Sequence, residues 1–181
     1  ERFFKTYPNH ERENYAYYLL AMSYYEQIID EKRDLGPLLN AKKYFEIVIV
    51  NYPNSDFALD SEYKLEAIQE ILASKEMYTA KYYTERDKWI PAINRYKIVI
   101  DKYETSIYVE EALHRLVELH YKLGLVEEAK KYASLLGYNY QSSKWYEQSY
   151  RVFNKDYQKI SKIKKKQNKN STLDKIKSLL K

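Results

Sequence analysis

The sequence predicts an all-α protein, a right-handed α-solenoid in which pairs of helices stack along the chain. Three observations favour this fold class. Among the 181 residues only 3 are glycine and 4 are proline, so tight turns are rare and long helices are favoured. Apolar residues recur at helical spacing along most of the sequence. A motif of small and aromatic residues returns at nearly regular intervals, which is typical of repeat architectures.

The first part of the chain divides into helices at clear stop signals. Residues 2–8 are expected to be the end of a preceding repeat, because Pro8 stops that helix. A third helix is expected between the breakers Gly36-Pro37 and Tyr52-Pro53-Asn54-Ser55. The helix between these two is predicted by an apolar stripe on one face: Tyr17, Leu20, Ala21, Tyr24 and Ile28.

The second part continues this pattern with fewer interruptions. No helix breaker lies between Phe57 and Glu85, so one long helix is predicted there. A closing helix is predicted at 143–153. The helices between are predicted by two further stripes: Ala92, Ile93, Tyr96, Val99 and Ile100, then Leu113, Leu116, Val117 and His120.

The recurring motif matches the tetratricopeptide pattern, in which an alanine precedes an aromatic residue by four positions. The spacing from Ala92 to Ala129 is 37 residues, close to the standard repeat of about 34 residues. From Ala41 to Ala92 it is 51 residues, and the long predicted helix accounts for the excess. About three tetratricopeptide-like repeats and a truncated leading repeat are therefore predicted, on the motif pairs Ala41/Phe45, Ala92/Tyr96 and Ala129/Ala133.

Charge separates the chain into two parts. The segment 155–181 holds 10 Lys and 2 Asp, a net charge of +8, whereas 1–154 has a net charge of −3. We therefore predict a repeat domain over 1–154 and a basic, disordered tail over 155–181. The mildly acidic repeat domain argues against a nucleic-acid partner. A solubilising end and a weak site for anionic lipid both stay open for the tail, in which Thr172 is expected to begin a short amphipathic helix carrying Leu173, Ile176, Leu179 and Leu180.

The residues that catalysis or cofactor binding would need are absent or wrongly spaced. The chain has no cysteine, which excludes a disulfide, a thiolate metal site and a cysteine nucleophile. His114 and His120 are six residues apart, so they lie on different helix faces and cannot form an i, i+4 metal pair. Three isolated glycines cannot form a phosphate-binding loop. We therefore expect no enzyme activity, no cofactor and no metal site, with His120 packed in the repeat core.

The first candidate surface is a groove on the concave side of the predicted array. If Tyr17 and Tyr24 belong to the core, then Tyr15, Tyr18, Met22 and Tyr25 share the concave face of the same helix. Such an aromatic stripe is suited to an extended peptide with apolar side chains. The alternative is that Tyr15 and Tyr18 pack on the preceding repeat. Equivalent positions later in the chain include His114, which is therefore expected on the same open surface.

The second candidate surface is the segment 82–95, between two predicted helices. It contains Trp89, Arg86 and Arg95, and Trp and Arg are enriched at interface hot spots. Each arginine could pair with a partner carboxylate in a bidentate fork. The alternative is an intramolecular ion pair with Glu85 or Asp87.

The chain resembles the BamD family, also called the ComL family. The most specific part of the resemblance is the block Ala80-x-Tyr82-Tyr83-Thr84-Glu85-Arg86-x2-Trp89-x4-Asn94-Arg95. Further matching stretches are Arg2-Phe3-Phe4, Tyr52-Pro53-Asn54-Ser55, Leu136-Gly137-x-Asn139-Tyr140 and Ser143-x-Trp145-Tyr146. Members are lipoproteins of the machinery that assembles β-barrels in the outer membrane, the BAM complex. The resemblance covers about residues 1–154, and the basic tail departs from it.

The resemblance implies partners and a location. Family members carry a lipidated cysteine, which would lie upstream of this chain, and sit on the periplasmic face of the outer membrane. Their C-terminal repeats bind a POTRA domain of BamA, the barrel-forming subunit, and the position matching Arg95 meets an acidic residue there. The BamA contact is thus expected at Glu85, Arg86, Trp89, Asn94 and Arg95.

Nascent outer-membrane proteins are the second partner that the resemblance implies. Their C-terminal targeting strands end in an aromatic residue, which suits the groove of Tyr15, Tyr18, Met22 and Tyr25. Other BAM lipoproteins are further candidate partners, and BamC is not assumed. Two alternatives stay open for the whole chain: another tetratricopeptide scaffold of the cell envelope, or a cytoplasmic scaffold with a different protein partner.

Overall fold

The computed structural model describes residues 2–8, 10–28 and 35–153. These residues form helices joined by short turns and contain no strand, which confirms the predicted all-α class. The handedness of the predicted solenoid stays a prediction. The helices are α1 (Arg2–Thr6), α2 (Glu13–Tyr25), α3 (Gly36–Asn51), α4 (Asp56–Thr84), α5 (Trp89–Lys102), α6 (Val109–Lys122), α7 (Val126–Asn139) and α8 (Lys144–Phe153).

The long helix and the closing helix both lie where the sequence predicted them. α4 runs for 29 residues, and α8 occupies the region predicted at 143–153. Ser55 caps α4, because its side chain accepts a hydrogen bond from the amide of Ala58 at 3.2 Å. The predicted tail lies outside the described residues, and the domain boundary at 154/155 therefore stays a prediction.

Two helices, α4 and α6, end in turns of the same type, although only the turn after α6 contains glycine. After α6, the amide of Leu125 donates to the carbonyl of His120 at 2.9 Å, and Gly124 between them has φ +78°. After α4, the amide of Lys88 donates to the carbonyl of Tyr83 at 2.9 Å. Asp87 there has φ +56°, in a left-handed position that glycine occupies without strain. The turn that contains Asp87 belongs to the candidate segment 82–95.

The described chain divides into two compact units. The first extends to Val109 and the second begins at Glu110, so α6 starts at the boundary. In the first unit, α2 packs on α3, α3 on α4, and α4 on α5. Its core contains a cluster of buried side chains: Ala21, Leu38, Ala41, Phe45, Ile68 and Leu72.

Alanine residues at the helix contacts are fully buried. Ala21, Ala41, Ala80, Ala92 and Ala129 have no exposed surface. An alanine at such a point lets two helix backbones approach, while the aromatic residue four positions later fills the space beside it. Phe45 and Tyr96 are buried in this way, which is the packing that the repeat motif predicted.

The second unit contains α7, α8 and nearly all of α6. Its core includes Leu113, Leu116, Val117, Ala129 and Leu136. His120 is buried as predicted, and its ring lies 5.0 Å from that of Tyr132 on α7. The expectation for His114 was wrong, because its side chain is buried rather than on an open surface. The residues that cover it come from α8, which no repeat pattern predicted as a partner.

Within the described ranges, none of the helices combines the length and the apolar character that crossing a bilayer would need.

Candidate functional site

The first candidate surface lies along α2, where its aromatic residues meet α3 and α4. The Tyr18 hydroxyl donates a hydrogen bond to Asp60 of α4 at 2.6 Å. Its ring centroid lies 5.1 Å from that of Phe57 and 6.2 Å from that of Phe45. The hydrogen bond to Asp60, together with burial, raises the pKa of Tyr18 to about 12. Tyr18 is therefore a protonated donor at neutral pH and ties α2 to α4.

The other three residues of this surface differ in how much they expose. The Tyr25 ring lies 6.0 Å from that of Phe45, and the Lys64 ammonium sits 5.2 Å above it. Met22 is half-buried against the same core cluster. Tyr15 is 44% exposed, and its ring packs at 5.2 Å on Phe57. These contacts are all with helices that follow α2, and the alternative that Tyr15 and Tyr18 pack on a preceding repeat stays open.

Sequence reasoning missed two residues beside this stripe. Leu19, next to Tyr18 on α2, is 47% exposed. Tyr63, three residues beyond Asp60 on α4, is 63% exposed. Side-chain exposure cannot be read from the sequence, and only the pairing of α2 with α4 shows which residues of α4 belong to the surface. The open part of the surface is thus formed by Tyr15, Leu19 and Tyr63, with Tyr18, Met22 and Tyr25 below.

The second candidate surface begins at Arg95, which is held by an acidic residue of α4. Arg95 Nη1 donates to Glu76 Oε2 at 3.1 Å and to Oε1 at 3.4 Å. The Arg95 side chain is 41% exposed and that of Glu76 is 20% exposed. The alternative to a partner contact was an intramolecular ion pair with Glu85 or Asp87; Arg95 does form an intramolecular pair, but with Glu76. Within the described residues, Nε and Nη2 of Arg95 make no hydrogen bond, so these two nitrogens are available to another carboxylate.

Glu76 also acts on a neighbouring tyrosine. Burial, with a smaller contribution from the negative charge of Glu76, raises the pKa of Tyr103. The Glu76 side chain is itself only 20% exposed, so it lies in a partly closed environment on α4. An ion pair in such a place is screened less than one on an open surface, so the Glu76 carboxylate fixes the direction of the Arg95 side chain.

Arg86 has a different environment from Arg95. Its guanidinium stacks on the Tyr82 ring at 3.6 Å from the centroid, and Nη1 donates to the Tyr82 carbonyl at 3.3 Å. Arg86 is exposed, and Tyr82 is 45% exposed. A guanidinium held flat on a ring keeps its edge open for a carboxylate. The structure therefore presents two arginines, one fixed by Glu76 and one by Tyr82.

The remaining residues of the second surface surround the turn between α4 and α5. Glu85 lies in the turn and is exposed, as is Asn94 on α5. Trp89 begins α5 and is half-buried. Together with Arg86 they extend over the turn that contains Asp87, whereas Arg95 lies six residues beyond Trp89 along α5.

A buried polar cluster in the second unit was not predicted. His114 Nδ1 forms a 2.8 Å hydrogen bond with the Ser149 hydroxyl, and His114 Nε2 lies 3.4 Å from Glu118. Although burial opposes it, contact with His114 and Arg115 lowers the pKa of Glu118 to about 2. The side chains of a serine, a histidine and a glutamate also form hydrolytic triads, but Ser149 is only 1% exposed here. The Ser149 hydroxyl is bonded to His114 across the two helices, so the cluster joins α6 to α8.

No metal centre is present in the part of the chain that the structure describes, since no three side chains of His, Cys, Asp or Glu converge there.

Comparison with known proteins identifies the family. The family model YfiO, described as outer membrane lipoprotein, matches residues 1–136. The outer membrane protein assembly factor BamD of Rickettsia prowazekii is 47% identical over 144 residues, which is 80% of this chain and 57% of the relative. The protein of the same name from Caulobacter vibrioides is 38% identical over 154 residues, or 85% of this chain and 50% of the relative.

A more distant relative, the BamD of Neisseria gonorrhoeae, is 33% identical over 132 residues, or 67% of this chain and 49% of the relative. The chain spans about half the length of the relatives that it matches. The matched range 1–136 contains both candidate surfaces, α2 and the segment 82–95. With this match to the family model and these relatives, the chain belongs to the BamD family of outer membrane lipoproteins.

Proposed function

We propose that this chain belongs to an assembly factor for outer-membrane proteins and acts as a non-enzymatic adaptor with two protein-binding surfaces. The proposal rests on family membership, since the relatives are named as outer membrane protein assembly factors. It also rests on the two surfaces themselves, which offer aromatic rings and fixed guanidinium groups. Mechanism then consists of positioning one bound protein relative to another, without a covalent step.

The BamA-binding surface is proposed at Arg95, Arg86, Glu85, Trp89 and Asn94. The observation that carries this proposal is that the Arg95 side chain is partly exposed and that only one of its three guanidinium nitrogens is bonded to Glu76. A carboxylate of BamA can then bind the free edge of the guanidinium without breaking the bond to Glu76. Because that side chain is already fixed, little conformational entropy is lost when the partner binds.

The groove for nascent outer-membrane proteins is proposed at Tyr15, Tyr18, Met22 and Tyr25. Tyr15 presents an exposed ring that rests on Phe57, and an apolar or aromatic side chain of an extended peptide can pack beside it. Tyr18 and Tyr25 have a supporting role, because they hold α2 against α3 and α4 and so fix the position of the exposed Tyr15 ring.

The proposed location is the periplasmic face of the outer membrane. The family description, outer membrane lipoprotein, supports this location, and we propose the lipid anchor on a cysteine upstream of residue 1. An adaptor at this position would meet BamA at the membrane and newly exported chains in the periplasm.

The test is a binding measurement with the soluble POTRA domains of BamA at two salt concentrations. Wild type is compared with Arg95→Glu, and Lys5→Glu serves as the control, because it makes the same charge change on the exposed part of α1. We expect Arg95→Glu to weaken binding by about 2–5 kcal/mol if the new charge pair is buried in the complex. Lys5→Glu should keep the wild-type affinity, and salt should weaken the wild-type complex.

Three outcomes would contradict the proposal. Equal binding by wild type and Arg95→Glu would remove the BamA surface from this segment. Equal loss in both variants would indicate an effect of net charge rather than a specific contact. No binding by any form would leave a peptide-binding helical array with a different partner.

A further inference from the structure

A lysine of α4 lies beside the aromatic groove that is proposed for nascent outer-membrane proteins. The Lys64 ammonium sits 5.2 Å from the centroid of the Tyr25 ring, and the lysine side chain is half-buried. Among the residues that the structure describes, Lys64 forms no ion pair with a carboxylate. A partly buried cation without an anion beside it is suited to an anionic ligand, because such a ligand compensates the lost hydration.

The groove has an aromatic end and a cationic end. At the aromatic end, the rings of Tyr15 and Tyr18 pack on Phe57 with centroids 5.2 and 5.1 Å away. Lys64 and Tyr25 form the cationic end. Phe57 and Lys64 are seven residues apart on one face of α4, which corresponds to about 10.5 Å along the helix axis. Both contact α2, so the two ends lie along the same pair of helices.

An acidic side chain between these ends gives the groove a direction. Asp60 lies one turn before Lys64 and accepts the hydrogen bond from the Tyr18 hydroxyl at 2.6 Å. Its negative charge repels a second carboxylate, whereas the ammonium of Lys64 attracts one. A peptide with a free carboxyl end would therefore place that end at Lys64, with its preceding residues extending towards Tyr15.

We propose that Lys64 binds the terminal α-carboxylate of the extended peptide in this groove. The inference rests on the proposed function of the groove and adds a preference for segments at the very end of a protein over internal segments. An extended chain advances about 3.3 Å per residue, so about three residues cover the distance from Lys64 to Phe57. The last side chain and the third from last then share a face, one beside Tyr25 and the other beside Tyr15 and Phe57.

The position of Lys64 over a ring favours this role. The Tyr25 ring attracts the ammonium and restricts where it can lie, so less conformational entropy is lost when a carboxylate binds. An ammonium has three N–H donors and no acceptor, which leaves donors for a carboxylate beside the ring. Because the lysine is half-buried, solvent and salt screen this pair less than a fully exposed pair.

Two forms of a short labelled peptide that ends in phenylalanine test the proposal, one with a free terminal carboxylate and one with a terminal amide. Fluorescence anisotropy measures the affinity of each form for the wild-type chain and for Lys64→Met, in which an unbranched apolar side chain still covers Tyr25. Lys43→Met is the matched control. The Lys43 ammonium also lies over a tyrosine, 5.4 Å from the centroid of the Tyr44 ring, but Tyr44 stacks on Tyr24 instead of lining the groove.

We expect wild type to bind the carboxylate form roughly fivefold or more tightly than the amide form, because only the carboxylate forms a charged hydrogen bond. Lys64→Met should bind both forms equally, at the wild-type affinity for the amide, while Lys43→Met should keep the wild-type preference. Circular dichroism should show the same helix content in all three proteins.

Equal binding of both forms by wild type would overturn the assignment of Lys64 and leave the groove itself in place. A preference for the carboxylate that persists in Lys64→Met would also overturn the assignment. Loss of the preference in both variants would do the same, since net charge would then be responsible. If wild type bound neither form, the proposed function of the groove would be wrong together with this inference.

Discussion

Glu76 of α4 accepts two hydrogen bonds from a single nitrogen of Arg95 on α5, at 3.1 and 3.4 Å. The two residues are 19 positions apart, so the contact depends on how the end of the long helix packs against the helix that follows. The pair keeps the guanidinium extended at the surface with its other nitrogens available. Arg95 is thus prepared for an acidic partner before that partner arrives.

Arg95→Lys should weaken BamA binding although it keeps the positive charge. A lysine ammonium is a point charge and cannot hold Glu76 on one edge and a partner carboxylate on another, as a planar guanidinium can. We expect a loss of about 1–2 kcal/mol, smaller than for Arg95→Glu. Titration calorimetry with the POTRA domains measures the difference, and wild-type affinity in Arg95→Lys would mean that charge alone is recognised.

The folding of Arg95→Glu needs its own control, because that variant places two carboxylates side by side. Glu76→Gln combined with Arg95→Glu removes the repulsion and keeps the reversed charge at position 95. We expect the double variant to recover most of the thermal stability lost by the single one, while BamA binding stays weak. If binding returned together with stability, the single variant would have acted through the fold instead of the interface.

The fold could be predicted largely from local patterns. The alanine and aromatic positions of the repeat motif predicted Ala41, Phe45, Ala92 and Tyr96 in the core, because side-chain volume decides where helices can approach. The length of α4 followed from the absence of any breaker. These features depend on residues close in sequence, which is why a single sequence was sufficient.

The partners of the candidate side chains could not be predicted in the same way. Tyr18 bonds to Asp60, 42 residues away, and His114 bonds to Ser149, 35 residues away. Each pair depends on which faces two helices present to each other, and many exposed carboxylates were equally available. The burial of His114 in particular requires α8, whose position no repeat pattern specifies.

Tyr15→Ala should reduce capture of peptides that end in an aromatic residue. The ring is 44% exposed, so its loss removes contact surface with a stability cost of about 1 kcal/mol or less. Tyr138→Ala is the control, because Tyr138 is 85% exposed and belongs to α7 of the second unit. Fluorescence anisotropy with a labelled peptide measures capture, and an equal effect of both variants would place the groove elsewhere.

Tyr18 and Tyr25 need a second measurement beside capture. Both rings pack on Phe45, so truncating them together opens space beside a fully buried side chain. We expect Tyr18→Ala with Tyr25→Ala to reduce peptide capture and also to lower unfolding stability by about 2–4 kcal/mol, with helix content preserved at low temperature. Capture that is unaffected in this variant would remove both residues from the proposed groove.

Enlarging the buried alanines should destabilise the first unit. Ala41 and Ala92 have no exposed surface, and a leucine at either position would force helices apart. We expect Ala41→Leu or Ala92→Leu to cost roughly 1–3 kcal/mol in urea unfolding. Leu39→Ala, at a position 51% exposed, is the control and should change the midpoint little. A neutral effect at position 41 or 92 would contradict the close helix packing there.

Acid should weaken the second unit through Glu118. Contact with His114 and Arg115 lowers the pKa of this carboxyl to about 2 in the folded protein, from an ordinary value of 4.5. The folded state therefore binds the proton less readily than the unfolded state, and the stabilisation is present above about pH 4.5 and is lost as the pH falls towards 2. Because the side chain is 42% exposed, solvent screening keeps the effect small.

Thermal unfolding between pH 6 and 3 should thus depend more steeply on pH in wild type than in Glu118→Gln. Glu127→Gln is the matched control, since its carboxylate is 75% exposed and should leave the slope unchanged. Parallel pH profiles for wild type and Glu118→Gln would mean that the His114 and Arg115 contacts do not stabilise the charged carboxylate.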